Sequence, residues 1–377
     1  MLQYCVVIAV LALISIPYLW YPLWQMAFPG KPKEYGAPKE WPSVSVVFAA
    51  YNEISIIEEK IRSIYSTNYP AGKLEVLVGS DLSNDGTDDA IRQLQSQFPA
   101  LTLHVNAERS GKSATINRLV DMAKGSIIVA TDANIIFKPD TLEQLVAPLI
   151  DPAVGGVAGE LTYVGSTRSG TASHENTYLS VENRIRIAES NKYGFCLGME
   201  GGLYAIKAAL WTPIPPKTFM EDFFETMKLI DGGHKIVYQP MAIGLEDVST
   251  EMSEEFKRKI RISTGNWQNL ARFAPMLWKH SVSLTAAFLF HKILRWCTPL
   301  LYILATAAAL AMPNTRSLGV ILLCVPLALA VIARIRPKTP SKVVYFYSMN
   351  VAMLVGLIKY LKGVRTNVWQ PTKRNQA

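Results

Sequence analysis

Three short acidic stretches contain residue types that could do chemistry, and each comes where a strand-like run ends. They are residues 80–86, 131–134 and 220–222. In the first, the Asp81 carboxylate can accept hydrogen bonds from a nucleobase N–H or a ribose hydroxyl. In the second, Asp132 and Asn134 can both reach one divalent ion, because Mg²⁺ and Mn²⁺ prefer oxygen ligands and bind through few protein groups plus phosphates. In isolation, each of these two stretches also fits an ordinary turn or helix cap.

Glu221 and Asp222 form the third stretch and lie between Phe219 and the pair Phe223 and Phe224. Two adjacent carboxylates among aromatic residues are unfavourable unless they are used or paired. One can be held by a hydrogen bond while the other removes a proton from a hydroxyl group. The alternative is the acidic first turn of a helix, which the helix dipole favours. The flanking aromatic residues favour the catalytic interpretation.

Alternating apolar runs and helical patterns after residue 43 predict the elements that position these stretches. The predicted strands are 44–50, 74–79, 101–105 and 127–131, and the predicted helices are about 55–65, 88–98 and 113–123. This alternation with short connections indicates an α/β fold with right-handed crossovers and a mostly parallel, Rossmann-like sheet. Ligands bind such sheets at the carboxyl ends of the strands. Residues 51–53, Asp81 and Asp132 should therefore meet at one edge.

Apolar segments of membrane length flank this region on both sides. Residues 5–23 are uncharged, long enough to span a bilayer, and end in aromatic residues typical of a membrane interface. No basic residue precedes this run, so an uncleaved anchor is favoured over a signal peptide. Residues 296–312 and 318–332 are further candidate spans, and 343–361 is either a third span or an interfacial helix.

Composition indicates a soluble domain with a few spans rather than a transporter or a nucleic-acid-binding protein. The net charge is +8, and many basic residues lie beside apolar segments, as between Arg334 and Lys342. Such charge usually marks cytoplasmic flanks that face anionic lipids. The basic tail from Lys362 should also be cytoplasmic, which conflicts with a single crossing by 343–361. Four scattered cysteines predict neither a metal site nor a disulfide framework.

Gly111, Lys112 and Ser113 resemble the end of a phosphate loop. Asn106 stands where that motif requires glycine, so the sequence excludes a P-loop NTPase. Lys112 at the start of a helix can still contact a phosphate.

A basic and aromatic segment containing Arg258, Arg261 and Trp267 precedes the second apolar region. It fits an interfacial helix whose side chains reach lipid headgroups, and it also fits a clamp on the diphosphate of a donor. Gly201, in the glycine-rich stretch 198–202, could let an acceptor approach the backbone. A plain loop is an equally good interpretation of that stretch.

Together these motifs resemble those of the membrane-bound family-2 glycosyltransferases, inverting enzymes of the GT-A fold that include bacterial polysaccharide synthases. The resemblance covers roughly residues 40–300 and depends on five motifs in the right order. They are residues 46–53; Asp81, Ser83, Asp85, Gly86 and Thr87; Gly111 and Lys112 with Asn117; Asp132 to Asn134; and Glu221 with Asp222.

The resemblance, with the reasoning above, gives each site residue an expected role. The donor-binding residues would be Ala50, Tyr51, Glu53, Asp81, Lys112, Asp132, Arg258 and Arg261. The ligands of a divalent cation, Mn²⁺ or Mg²⁺, would be Asp132 and Asn134. The catalytic residues would be Asp222, as the general base, and Glu221. The acceptor-binding residues would be Gly201 and Trp267.

Two departures from the family pattern bear on the mechanism. The family usually has a second carboxylate where this chain has Asn134, so weaker metal binding is expected. Processive synthases carry a Gln–x–x–Arg–Trp motif beyond the base, and here Arg261 is present while the Gln and the Trp are absent from that window. This departure puts processive synthesis in doubt, and Trp267 is a candidate substitute for the stacking surface of that motif.

The sequence thus predicts an inverting, metal-dependent glycosyltransferase in a bacterial-type inner membrane, with its catalytic domain in the cytoplasm. Its partners would be a UDP-sugar, a lipid-linked or growing glycan acceptor and the lipid bilayer, with no nucleic acid. The alternatives are a processive polysaccharide synthase and a catalytically inactive scaffold subunit. The predicted boundaries are 1–28 for the anchor, 29–42 for a linker, 43–250 for a GT-A domain, 251–294 for interfacial helices, 295–361 for a membrane region and 362–377 for a basic tail.

Overall fold

The computed structural model describes residues 2–164, 170–247, 252–335, 342–364 and 368. The chain divides into two compact units. The first, called the sheet unit, comprises Pro29–Gly165, Arg186–Val248 and Val364–Ala377; the second, called the helical unit, comprises Met1–Phe28, Ser166–Ile185 and Ser249–Gly363. The domain boundaries given above remain predictions, because these units are defined by packing and not by activity.

The described elements are eight strands and fourteen α-helices. The strands are β1 Val44–Ala50, β2 Leu74–Ser80, β3 Leu101–Val105, β4 Ile127–Thr131, β5 Ile135–Phe137, β6 Val154–Val164, β7 Leu203–Lys207 and β8 Lys235–Asp247. The helices are α1 Leu2–Ser15, α2 Tyr21–Ala27, α3 Ile57–Tyr65, α4 Thr87–Gln95, α5 Lys112–Met122, α6 Thr141–Val146, α7 Gly170–Tyr193, α8 Glu221–Asp231, α9 Met252–Phe273, α10 Met276–Lys279, α11 Val282–Ala287, α12 Leu294–Ala311, α13 Arg316–Ile335 and α14 Lys342–Leu361.

All eight strands belong to one sheet of order β3-β2-β1-β4-β7-β6-β8-β5. Strands β1 to β4 run parallel to one another, as predicted, and β1, β3 and β4 have the predicted bounds. Strand β7 lies antiparallel between β4 and β6, so the complete sheet is mixed. Every residue of β1 and of β4 is buried, as expected for central strands that are covered on both faces.

The core of the sheet unit lies between this sheet and its helices. Helix α3 shows why the sequence folds this way: Ile57, Ile61 and Ile64 recur at helical spacing, and all three are fully buried. They join a cluster that includes Val46 and Phe48 of β1. This packing fixes the carboxyl ends of β1, β2 and β4, from which the predicted site residues project.

Three helical runs in the helical unit are long and apolar enough to cross a membrane: Tyr4–Ala27, Val282–Ala311 and Val343–Leu361. The first two contain a π-helical segment each, Ile16–Trp20 and Phe288–Ile293. Within the described residues, a further apolar helical run, Pro313–Leu329, which includes the first part of α13, is shorter than a span. The side chains of the basic cluster 334–342, and the tail residues 369–377, lie outside the described residues.

Candidate active site

The loops that follow β1 and β2 are fastened to each other by hydrogen bonds. The Asn52 amide N–H donates to Ser83 Oγ (3.2 Å), and the Asn84 N–H donates to Asn52 Oδ1 (2.9 Å). The Glu53 N–H donates to Thr87 Oγ1 (2.9 Å). Asn52 adopts a positive φ of 56°, a conformation that asparagine tolerates better than most residues. The predicted donor-binding loop therefore has a fixed place beside the Asp81 loop.

Asp81 is completely buried at the end of β2, and its carboxylate accepts hydrogen bonds from one loop of the chain. The donors are Asn106 Nδ2 (3.0 Å), Arg109 Nε (3.0 Å), the Ser110 N–H (2.7 Å) and the Gly111 N–H (3.2 Å). The Asp81 N–H in turn donates to the Ala50 carbonyl (2.9 Å). In this structure Asp81 thus shapes the loop 106–111, while Ala50 contributes through its backbone.

Arg109 is a site residue that sequence reasoning missed. Its guanidinium lies 3.2 Å from the centroid of the Tyr51 ring, so that the cation stacks on the aromatic face. Its side chain keeps 22% of its surface exposed. The sequence signal that could have identified Arg109 was its position two residues before the motif Gly111–Lys112. Tyr51 and Arg109 together present a flat aromatic and guanidinium surface beside Asp81.

Lys112 connects the second and third acidic stretches. Its Nζ lies 2.6 Å from Asp132 Oδ1 and 2.6 Å from Glu221 Oε1. Burial lowers the pKa of the Lys112 ammonium, but the two carboxylates outweigh burial and raise the pKa above its ordinary value. Lys112 is therefore a permanent positive charge between Asp132 and Glu221. The structure brings together three residues that are far apart in the sequence.

Asp132 and Asn134 differ in exposure and in hydrogen bonding. The Asp132 side chain is 39% exposed, whereas Asn134 is buried and donates from Nδ2 to Glu246 Oε1 (3.2 Å). That bond leaves the Asn134 amide oxygen as an acceptor. No group of three or more His, Cys, Asp or Glu side chains suited to a metal ion occurs among the described residues. One carboxylate plus an amide oxygen fits a Mg²⁺ or Mn²⁺ ion that is bound mainly through substrate phosphates.

A buried lysine stabilises the loop that contains Asp132. Lys60 of α3 is fully buried and donates to Thr131 Oγ1 (3.0 Å) and to the Ile135 carbonyl. Its Nζ also lies 3.9 Å from the centroid of the Phe137 ring. Burial lowers the pKa of Lys60 well below its ordinary value. Sequence reasoning missed this contact, because a lysine in an amphipathic helix is normally expected in solvent.

Asp222 lies in the first turn of α8. This helix begins directly after Met220, which adopts a positive φ of 56°. Its Oδ1 accepts the Phe223 N–H (2.8 Å). Burial, followed by the charge of Glu221, raises the pKa of Asp222 to about 7, while Lys112 opposes this shift. A carboxylate with a pKa close to the working pH suits a general base.

Gly201 faces the Asp222 carboxylate. A Cβ atom at this glycine would lie 3.2 Å from Asp222 Oδ2, which is tighter than an ordinary contact. The neighbouring Gly202 carbonyl accepts a hydrogen bond from Thr131 Oγ1 (2.7 Å). The predicted acceptor-binding residue and the predicted base therefore lie together, next to the strand that ends in the Asp132 loop.

Glu225 is a third buried carboxyl on α8, one turn beyond Glu221, and no sequence motif singled it out. It is fully buried, and its Oε1 has no hydrogen-bond partner among the described residues. Burial raises the pKa of Glu225 to about 8. Helix α8 thus holds several carboxyl groups in a medium that disfavours their charge.

Three predicted site residues lie on α9, in the helical unit. Arg258 pairs with Glu255 through Nε (2.7 Å) and Nη2 (3.2 Å), and Arg261 is exposed. The Trp267 indole N–H is buried and has no partner in the described part of the chain. Donor binding by the two arginines and acceptor binding by Trp267 remain predictions.

Comparison with known proteins identifies the family. The model described as "Glycosyl transferase family 2" matches residues 45–204, and that described as "Glycosyl transferase family group 2" matches residues 127–335, more than half of the chain. The chain belongs to glycosyltransferase family 2. This confirms the predicted family and the predicted enzyme class.

Curated relatives of this glycosyltransferase match over part of their length. Glycosyltransferase AglE of Haloferax volcanii is 26% identical over 150 residues, which are 40% of this chain and 49% of the relative. Beta-monoglucosyldiacylglycerol synthase of a Synechocystis strain is 29% identical over 119 residues, which are 31% of this chain and 25% of the relative. The chain thus spans half or less of the length of these two relatives.

A solved structure matches this glycosyltransferase over nearly its whole length. It is the mannosyltransferase PcManGT of Pyrobaculum calidifontis, in complex with GDP-Man and Mn²⁺. The two are 26% identical with a TM-score of 0.73, and the match covers 96% of this chain and 99% of the other. The predicted GT-A fold, flanked by apolar helices, is confirmed.

Proposed function

We propose that this protein is an inverting, metal-dependent glycosyltransferase that moves a sugar from a nucleotide donor, predicted to be a UDP-sugar, to a lipid-linked or growing glycan. The observation that carries this proposal is the contact of one ammonium, Lys112 Nζ, with both Asp132 and Glu221, 2.6 Å from each. This contact connects Asp132, which is expected at the leaving diphosphate, with the pair of Glu221 and Asp222, which contains the expected base. Donor chemistry and acceptor chemistry then share one cleft.

Asp222 is the proposed general base of this reaction. Its ionised carboxylate takes the proton from the acceptor hydroxyl as that oxygen forms a bond to the anomeric carbon of the sugar. The bond between this carbon and the diphosphate oxygen breaks in the same displacement, so one base suffices for inversion. Gly201 leaves the space in which a hydroxyl can approach Asp222 Oδ2. The raised pKa of Asp222, about 7, makes its carboxylate a stronger base than an exposed aspartate.

Negative charge accumulates on the leaving diphosphate, and this chain supplies groups that offset it. Lys112 provides a fixed positive charge beside Asp132. A divalent cation held by Asp132 and Asn134 would supply Lewis-acid stabilisation of the same leaving group. Lys60 keeps the Asp132 loop in place through Thr131 and Ile135. These contacts exist before a substrate arrives, so little reorganisation is needed at the moment of reaction.

The nucleoside part of the donor is proposed to bind at Tyr51, Arg109 and the loop shaped by Asp81. A flat aromatic and guanidinium surface suits stacking of a nucleobase, and the buried Asp81 fixes its position. The sequence predicts uridine, whereas the matched mannosyltransferase is in complex with GDP-Man. Both nucleotide classes therefore belong in the test.

The acceptor is proposed to be lipid-linked, which suits an enzyme with candidate spans on both sides of its sheet unit in the sequence. One relative is named for a product built on diacylglycerol. We place the enzyme in the cell membrane with the sheet unit in the cytoplasm, where nucleotide sugars are made. Processive synthesis of a polysaccharide is the second candidate, and product length separates the two.

The test is nucleotide release by the detergent-purified full chain, with UDP- and GDP-sugars offered in turn and with Mn²⁺, Mg²⁺ or a chelator. We expect sugar-selective release that needs the metal and a membrane-lipid extract as the acceptor source. Release that survives in Asp222→Asn would refute the assignment of the base. Metal-dependent nucleotide binding without release under any condition would favour an inactive scaffold subunit.

A further inference from the structure

A cavity of about 680 Å³ lies along the first half of β8, and the residues that line it all belong to the sheet unit. Its volume falls within roughly 300–1,000 Å³, the range typical of ligand pockets. Strand β7 is antiparallel to both β4 and β6, and β6 is parallel to β8, so β8 runs in the same direction as β4. The first residue of β8, Lys235, therefore lies at the sheet edge opposite to Asp132, which follows β4. No predicted site residue is among the described residues that line this cavity.

An irregularity in β8 shapes one wall of the cavity. The register of β8 against β6 shifts after Tyr238, so that residues 239–242 oppose a single residue of β6, Gly159. Three of these four residues line the cavity: Gln239, Pro240 and Met241. Such bulges redirect side chains out of the regular pattern of a strand and are common beside functional sites. The bulge therefore gives the cavity side chains that a regular strand would place elsewhere.

The linker residues 31–35 form a second wall, and contacts fix their position. Lys33 Nζ donates to Asp151 Oδ2 (2.7 Å). At the start of this segment Gly30 adopts a φ of 75°, and a Cβ atom there would lie 2.8 Å from Lys192 Cγ. Glycine thus lets the linker pack closely on the end of α7, whose last turns also line the cavity. A strand, a helix end and a linker therefore enclose one space.

The lining combines aromatic rings with amide side chains. The rings are those of Tyr35 and Tyr193, and the amides belong to Gln144, Asn191 and Gln239. All five residues are partly exposed, so a ligand can reach them. An aromatic ring offers an apolar face, and each side-chain amide offers both donors and an acceptor of hydrogen bonds.

These groups match a carbohydrate better than an anion. A sugar ring presents an apolar C–H face together with hydroxyl groups that both donate and accept hydrogen bonds. An anion would need cations that are not already neutralised, and the cation nearest to the Tyr35 ring, Lys33, is paired with Asp151. Lys31 and Lys235 are exposed and add hydrogen-bond donors for the oxygen atoms of a sugar.

We infer that this cavity is a second glycan-binding site, which holds a segment of an oligosaccharide away from the reacting centre. One sugar ring lies against Tyr35, and hydroxyl groups of the segment bond to the amides of Gln144, Asn191 and Gln239. That this glycan is the one that the enzyme extends rests on the proposed function. The binding site itself rests on the cavity, the bulge and the chemistry of the lining.

The experiment measures oligosaccharide binding by the full chain, in a detergent without a sugar headgroup, with a chelator and without any sugar donor. The probes are cellohexaose, chitohexaose, maltohexaose and mannohexaose, with inorganic pyrophosphate as the anion. We expect at least one hexasaccharide to bind with a Kd of about 1 mM or tighter by calorimetric titration, as a ring contact and a few hydrogen bonds allow. Binding of pyrophosphate alone, or of none of the probes, would overturn the inference.

Variants of the lining locate the binding. Tyr35→Ala should weaken binding of that hexasaccharide about tenfold, whereas Tyr35→Phe keeps the ring and should bind as the unmodified protein does. Gln239→Ala should weaken it roughly threefold to tenfold through lost hydrogen bonds, with the melting temperature unchanged. Gln93→Ala, at an exposed glutamine of α4, is the matched control and should have no effect. Unchanged binding in both Tyr35→Ala and Gln239→Ala would place the sugar elsewhere.

Asp222→Asn separates this site from the reacting centre. This variant should bind the hexasaccharide as the unmodified protein does, and loss of binding would place the sugar beside the proposed base instead. Because no donor is present, absence of hexasaccharide binding refutes the second site and leaves nucleotide release untouched. Conversely, a protein that binds the hexasaccharide at the cavity but releases no nucleotide with any donor refutes the proposed transferase and leaves the glycan site standing.

Discussion

Two buried aspartates at the same edge of the sheet have opposite environments. Asp81, in the first acidic stretch, accepts hydrogen bonds from Asn106, Arg109 and two backbone N–H groups. Asp222, in the third stretch, accepts the Phe223 N–H and lies beside a second carboxylate. The donors around Asp81 tie its carboxylate to a loop, whereas burial and the charge of Glu221 raise the pKa of Asp222 to about 7, so that this carboxyl group can exchange a proton near neutral pH.

The hydrogen bonding of the surrounding segments shows the same contrast, although a positive φ occurs beside both aspartates, at Leu82 and at Met220. Around Asp81 the loops are joined by hydrogen bonds between Asn52, Ser83 and Asn84, which makes a prearranged surface. Near Asp222, Glu225 keeps an unpaired oxygen among the described residues. Unfavourable backbone and charge are retained where surrounding structure enforces them, which is common at reacting centres.

The strongest test of this contrast is Asp222→Asn, which removes the proposed base and preserves its shape. Turnover should fall by about 10³-fold, within the range for loss of a general base, while nucleotide affinity is retained. Steady-state nucleotide release and equilibrium nucleotide binding measure the two effects separately. If the variant keeps a tenth or more of the turnover, Asp222 is not the base.

Asp81→Ala should have the next largest effect, but on binding and stability. It leaves Arg109 and two backbone N–H groups without their acceptor, so unfolding should become easier by about 3 kcal/mol. Donor affinity should fall roughly 10- to 100-fold, with kcat changed less. Denaturant unfolding and donor titration give the two values. If Asp81→Ala loses turnover even at a saturating donor concentration, Asp81 would act in the chemical step as well as in donor binding. That result would contradict the separate roles proposed for Asp81 and Asp222.

The dependence of kcat on pH tests the assignment of Asp222 as the base without mutation. Asp222 must be ionised to accept a proton, and its pKa is raised to about 7. The logarithm of kcat should therefore rise with pH up to about 7 and level off above it. Below that value turnover should fall about tenfold per pH unit. A profile that is flat from pH 5 to pH 8 would show that no group with this pKa limits the reaction.

Gly201→Ala tests the space in front of Asp222. The added Cβ would lie 3.2 Å from Oδ2, so acceptor approach should be hindered and turnover reduced about tenfold, with donor affinity unchanged. Gly72→Ala is the matched control, because nothing lies within 4 Å of a Cβ there. Equal turnover in the two variants would mean that the acceptor does not pass Gly201.

Arg109→Leu should have the smallest effect and should act on donor binding alone. Loss of one cation–π contact of about 0.5–2 kcal/mol predicts a donor KM that is roughly 3- to 30-fold higher, with kcat retained. Comparing UDP- and GDP-sugars in this variant shows whether Arg109 distinguishes the bases. A fall in kcat with no change in KM would show that Arg109 acts at the reacting centre and not in nucleotide binding.

The parallel part of the fold could be predicted from the sequence because its signals are local. Strands β1, β3 and β4 are apolar runs bounded by turn-forming residues, and their bounds were predicted correctly. Strand β7 could not be placed in the same way, since its antiparallel position depends on pairing between Ile127 and Lys207, 80 residues apart. Long-range pairing leaves no periodic signal in the strand itself.

The site was predictable to the extent that carboxyl ends of parallel strands meet at one edge. From that rule, Asp81 and Asp132 could be predicted to lie close together. The contacts of Lys112, Lys60 and Arg109 could not be predicted, because they depend on side-chain directions that sequence spacing does not specify. Lys60 illustrates the limit: its burial follows from the Asp132 loop folding over it, and not from any feature of α3.

The sharing of Lys112 between Asp132 and Glu221 has an electrostatic consequence. An anion bound beside Lys112 would share its positive charge with both carboxylates, so the electrostatic field at Asp222 would depend on whether the donor site is filled. The proposed donor and acceptor sites would then be coupled through the charge of a single side chain.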